Sequence, residues 1–91
     1  MQLDIRKKAS IIFVGEGARL GKRTIEIGDE ATLHHNGKNV KARITNVKET
    51  QIIGKITSSE YYPENPGITI GREIRFLEEN IFEIFKMPKK D

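Results

Sequence analysis

The chain has 91 residues, 36% of them hydrophobic, with no cysteine and 16 Lys and Arg against 13 Asp and Glu, a formal charge of +3. This is the size of one domain with an economical core, and the lack of cysteine excludes both a disulfide framework and a thiolate zinc site. The charge is uneven: residues 1–25 carry Arg6, Lys7, Lys8, Arg19, Lys22 and Arg23 against Asp4 and Glu16, a local +4, and the remainder nets to −1.

The elements divide a single domain, 1–91, into a basic arm with a glycine-rich loop (1–23), a β core (24–86) and a polar tail (87–91). The only apolar stretch near the start, Ala9 to Val14, is too short for a secretory core or a membrane span. A soluble, cytoplasmic protein without a membrane partner is the expectation. Ser10 to Val14 reads as a strand, and its continuous apolar run fits one covered on both faces or paired with a partner.

Gly15, Gly17 and Gly21 then space a loop that carries Arg19, Lys22 and Arg23. As a phosphate loop it fails in two places, because Glu16 stands where the first glycine is needed and Arg23 follows Lys22 where Ser or Thr is needed. A loop that touches an anionic partner remains compatible with those three cations.

Thr24 to Ile27 reads as a short strand ending at the Gly28–Asp29 turn. Glu30 to His35 alternates, with Ala31, Leu33 and His35 on one side. Asn36–Gly37 is a type I′ turn signal, since both central positions need positive φ. The returning arm, Lys38 to Val47, puts Val40, Ala42 and Ile44 inward and Lys41, Arg43 and Thr45 outward, with a break in parity near Asn46 that marks a bulge or the strand's end.

Thr50 to Ser58 forms the next strand, with Ile52, Gly54 and Ile56 facing one way and Ile53, Lys55 and Thr57 the other. Gly54 marks the bend where a small barrel closes. The prolines of Tyr61–Gly67 make that segment a loop bearing Tyr61 and Tyr62. Glu73 to Leu77 is a strand with Ile74 and Phe76 inward. Ile81 to Phe85 is either an edge strand or one helical turn, because Ile81, Ile84 and Phe85 are spaced for one helix face.

These elements compose an all-β fold, a five to six stranded antiparallel barrel of SH3-like or related type. Chemistry is sparse. His34 and His35 are adjacent and in a strand point to opposite faces, so they cannot share one metal, and no nucleophile, base and orienting group is fixed by spacing. The expectation is a non-enzyme without metal or cofactor.

Two binding classes draw on the same residues. Lys41, Arg43 and Lys55 project from the solvent faces of neighbouring strands with Tyr61 and Tyr62 at the end of that sheet, a basic surface bordered by aromatics of the kind that holds single-stranded DNA or RNA. The same tyrosines and polar loops serve a peptide groove, an exposed edge such as Ser10–Val14 or Ile81–Phe85 can accept another strand, and the apolar Ile81, Phe82, Ile84 and Phe85 either plug the barrel or form a homodimer contact. Recognition of a protein partner is the preferred reading and nucleic-acid binding the alternative. Lys41, Arg43, Lys55, Tyr61, Tyr62, Arg19, Lys22 and Arg23 are the partner-binding candidates.

Lys41–Val47, Ile53–Ile56 and the run Ile70, Gly71, Arg72, Glu73, Ile74, Arg75, Phe76, Leu77, Glu78, Glu79, Asn80 and Ile81 together resemble the YegJ-like group of small β-rich proteins. That group shows a glycine and an acidic residue before a strand ending in phenylalanine, then a Glu-Asn-Ile closure. Here Arg72 stands where the acidic residue is usual. The resemblance covers about half the chain and implies a β-rich architecture with no defined activity or partner.

Overall fold

In the computed structural model, which describes residues 2–7, 10–19, 24–60 and 68–86, the Asn36–Gly37 pair forms the expected hairpin turn, with φ of 51° and 81°. It joins strand β2 (Glu30–His35) to strand β3 (Lys38–Val47) in the register His35↔Lys38, Leu33↔Val40, Ala31↔Ala42 and Glu30↔Arg43. Four further strands complete the sheet: β1 (Ile12–Val14), β4 (Ile52–Ser59), β5 (Glu73–Phe76) and β6 (Ile81–Phe85). A single helical turn, α1 (Glu16–Arg19), follows β1, and a 3-10 turn, Glu78–Asn80, leads into β6. Thr24 to Ile27, expected as a strand, is instead a loop folded around Asp29, whose carboxylate accepts the Glu26 N–H at 2.9 Å.

The strand order is β1-β6-β2-β3-β4-β5, and this corrects the expected barrel. The sheet is open: β1 and β5 lie at opposite margins and do not pair with each other. Nor is it purely antiparallel, since β1 runs parallel to β6. The SH3-like assignment falls with closure. Alternation in sequence reports that one face of each strand is buried, but not what buries it. Here loops and the arm share that work: Ile68 is buried against the sheet, and Leu3, Ile11, Phe13 and Ile25 pack around the same cluster.

The buried face is the one the alternation indicated. Ala31, Leu33, Val40, Ala42, Ile44, Ile52, Ile56, Ile74, Phe76, Ile81 and Ile84 form one core, while Lys41, Arg43, Thr45, Lys55 and Thr57 are exposed on the other side. Each of the larger aliphatic side chains contributes about 1.5–3 kcal/mol by leaving water. The bend glycine has a different duty from closure: a Cβ on Gly54 would stand 2.8 Å from the Arg43 carbonyl oxygen and 3.3 Å from the Phe76 ring. Gly54 thus lets β3 and the ring of Phe76 close over β4.

Three bulges adjust the ladder. The register shifts between Ile44 and Asn46, where the parity break was read, and again between Lys41 and Ala42. A third shift, between Thr32 and Leu33, pairs Leu33 with Ile81 and Thr32 with Glu83, leaving Phe82 as the extra residue on β6. This bulge resolves the ambiguous spacing of the last element. Ile81 and Ile84 both reach the core from an extended strand because one residue is looped out between them. β6 is also interior to the sheet, between β1 and β2, rather than at an edge.

Past β6, Lys86 turns inward. Its ammonium donates to the Thr24 carbonyl at 2.6 Å, to Glu26 Oε1 at 2.9 Å and to Asp29 Oδ2 at 2.6 Å, fastening the Thr24–Asp29 loop to the end of the strand.

Candidate functional site

The N-terminal arm is built onto the sheet. Its backbone pairs through the Asp4 N–H to the His34 carbonyl at 2.8 Å and the Arg6 N–H to the Glu79 carbonyl at 2.7 Å. The Asp4 carboxylate accepts the N–H groups of Asn36 at 3.1 Å and Gly37 at 2.8 Å, so it caps the open amides of the hairpin turn. Those bonds, the Gly37 amide foremost, hold the Asp4 carboxyl below its ordinary pKa, with help from the nearby imidazoles and against a smaller cost of desolvation. Arg6 donates to the carbonyls of Glu78 at 2.8 Å and Ile81 at 2.6 Å, and Asn80 Nδ2 to the Asp4 carbonyl at 3.2 Å. The basic arm therefore spends Arg6 on its own sheet.

This docking walls an open groove of about 1120 Å³ between residues 2–7 and the outer face of β6, β2 and β3. The bulge at Phe82 supplies its floor. The Phe82 ring stacks on the His34 imidazole with centroids 3.9 Å apart and planes 19° from parallel. Ile5 and Ile12, 61% and 46% exposed, add apolar surface, while Thr32, Asn39, Lys7, Lys41 and Glu83 bring polar and charged groups to the rim. His35, on the other face, faces the Gln2 carbonyl through Nδ1. His34 makes no side-chain hydrogen bond among the described residues, and no three metal-ligating side chains gather there.

The candidates named from sequence fall into three groups. Lys41 lines the groove. Arg43 and Lys55 do not; they sit opposite each other on β3 and β4, in a row running Glu30↔Arg43↔Lys55↔Glu73 across four strands. The two cations are flanked on each side by a carboxylate, with no direct ion pair formed among the described residues. Glu30 reaches further over the face, accepting the Thr57 hydroxyl at 3.3 Å. The row is electrically balanced, which the alternation of one strand at a time does not reveal. Arg19 ends α1. Tyr61, Tyr62, Lys22 and Arg23 lie outside the described residues.

The sequence reading missed the His34–Phe82 stack. Its signal was present in the Ile81–Phe85 spacing, which a bulge satisfies as well as a helical turn does, and a bulge puts Phe82 on the outer face. No family model, curated protein or solved structure matches the chain. Among the described residues no helix is long and apolar enough to cross a membrane.

Proposed function

We propose that this protein is a non-catalytic binding module that holds an extended segment of a partner protein in the groove between its N-terminal arm and the outer face of β6, β2 and β3. The observation that carries this reading is the floor of the groove, where the His34–Phe82 ring pair lies between exposed Ile5 and Ile12 and the cationic Lys41. Apolar, aromatic and hydrogen-bonding groups in one long concave surface suit a chain that alternates apolar and polar side chains. With Arg6, Lys7 and Lys41 against Asp4 and Glu83, the lining keeps a net positive charge and favours a segment bearing an acidic residue.

Selection of a displayed random-peptide library on the immobilised protein tests the reading. The expected outcome is enrichment of apolar-acidic segments that bind the parent and lose about tenfold or more in affinity with Phe82→Ala or Lys41→Glu, while Arg43→Ala changes little. Absence of enrichment, or equal loss in all three variants, overturns it.

The nucleic-acid alternative leans on Lys41, Arg43 and Lys55. The flanking of Arg43 and Lys55 by Glu30 and Glu73 works against it, because a phosphate backbone laid along that row meets as many carboxylates as cations.

A further inference from the structure

We infer that β1 pairs with β1 of a second copy of this chain, antiparallel about a two-fold axis at Ile12, so that two six-stranded sheets join into one. Among the described residues the strand is hydrogen-bonded on one side only, to β6. On that side the Lys86 N–H donates to the Val14 carbonyl at 2.8 Å. Backbone groups alternate along a strand, so Val14 and Ile12 direct theirs at β6 while Ile11 and Phe13 direct theirs outward. A two-fold at Ile12 sets Ile11 of one copy opposite Phe13 of the second, and each such pair exchanges two N–H···O=C bonds.

The margin is short, three residues, but it lacks the charge and proline that keep an edge solitary. From Ser10 to Gly15 there is no charge and no proline, and Ile12 is 46% exposed. The opposite margin differs: β5 presents Glu73 and Arg75 to solvent on its exposed face. Charged and twisted edges resist pairing, and uncharged ones invite it.

Charge at the two ends selects a second copy as the occupant. Exposed Lys7 precedes the strand and exposed Glu16 follows it. Antiparallel pairing brings the Glu16 end of each copy alongside the Lys7 end of the other, twice over, as an isologous contact requires. A parallel arrangement would align like charges. The contact adjoins the peptide groove, whose lining includes Ile12 and Lys7, whereas Glu16 does not contribute to that lining.

Sedimentation equilibrium of the full chain from about 1 µM to about 1 mM tests the inference, with a reversible monomer–dimer equilibrium expected. Glu16→Lys and Lys7→Glu should each raise the dissociation constant about fivefold to tenfold, and the double exchange should return it to within about twofold of the parent. Far-UV circular dichroism of each variant reports that the fold is kept. A monomer throughout, a dimer indifferent to Glu16→Lys, or a double variant no tighter than the singles overturns the proposal. Peptide affinity measured on dilute Glu16→Lys protein stays at the parental value, which separates this outcome from that of the groove.

Discussion

The Lys86 ammonium stands 2.6 Å from Asp29 Oδ2, with the two side chains only 2% and 6% exposed, although the residues lie at opposite ends of the β core. Removing Lys86 leaves Asp29 buried without its cation, and removing Asp29 leaves the ammonium only the more exposed Glu26; breaking a buried pair in this way typically costs about 3–5 kcal/mol. Lys86→Met and Asp29→Ala are each expected to lose about 3 kcal/mol in urea unfolding, and the double variant less than their sum.

The same clasp sets an alkaline limit. Burial works to lower the Lys86 pKa, but its bonds to Asp29 and Glu26 outweigh that and hold it above the ordinary 10.5. A raised folded-state pKa means stability that is complete below the unfolded value and lost as pH rises through the folded one. Urea midpoints are therefore expected to fall above the ordinary lysine range, and the fall should be smaller in Lys86→Met. A parent and variant that decline in parallel would place the alkaline sensitivity elsewhere.

Asp4 provides the acid counterpart for the arm. Its carboxyl is held below the usual value by the Gly37 and Asn36 amides, so its contribution is present above the unfolded pKa and lost as pH falls through the folded one. Amide chemical shifts of Asn36 and Gly37 should titrate together below the ordinary carboxylate range. In Asp4→Asn that shared transition disappears while the Leu33 and Val40 amides stay in place.

Gly54 separates close approach from simple chain freedom. An alanine there drives its methyl to 2.8 Å from the Arg43 carbonyl oxygen, a backbone atom that can yield only by opening β3 from β4. Gly54→Ala is expected to cost about 2–3 kcal/mol by denaturant unfolding. At Gly71 a Cβ meets nothing within 4 Å, so Gly71→Ala carries only the conformational cost of its positive φ, about 1 kcal/mol. Equal losses would show that the β3–β4 approach is not tight.

Charge balance on the outer face predicts weak affinity for polyanions. Titration with single-stranded DNA, single-stranded RNA and duplex should give dissociation constants no tighter than roughly 10⁻⁴ M at physiological salt, the weak end of non-specific binding. Glu30→Gln with Glu73→Gln unmasks Arg43 and Lys55 and should both tighten binding and steepen its salt dependence. Tight binding by the parent, weakened by Lys41→Ala and Arg43→Ala, would favour the nucleic-acid reading over the peptide one.

The amino-acid order by itself determined the local grammar of this protein. Positive φ at Asn36–Gly37 and the two-residue period of Val40, Ala42 and Ile44 follow from sterics and side-chain geometry, and the structure keeps both the hairpin and the buried face. Long-range pairing was decided only in three dimensions. Whether β1 meets β5 or β6 depends on contacts between distant segments, and the period of two is identical in an open sheet and a barrel. For the same reason the groove was hidden: it needs the arm bound at the hairpin turn and Phe82 looped out beside His34. The cations Arg43 and Lys55 were legible as exposed, and the hairpin register already sets Glu30 opposite Arg43, but Glu73 comes to Lys55 from a strand whose place no single segment encodes.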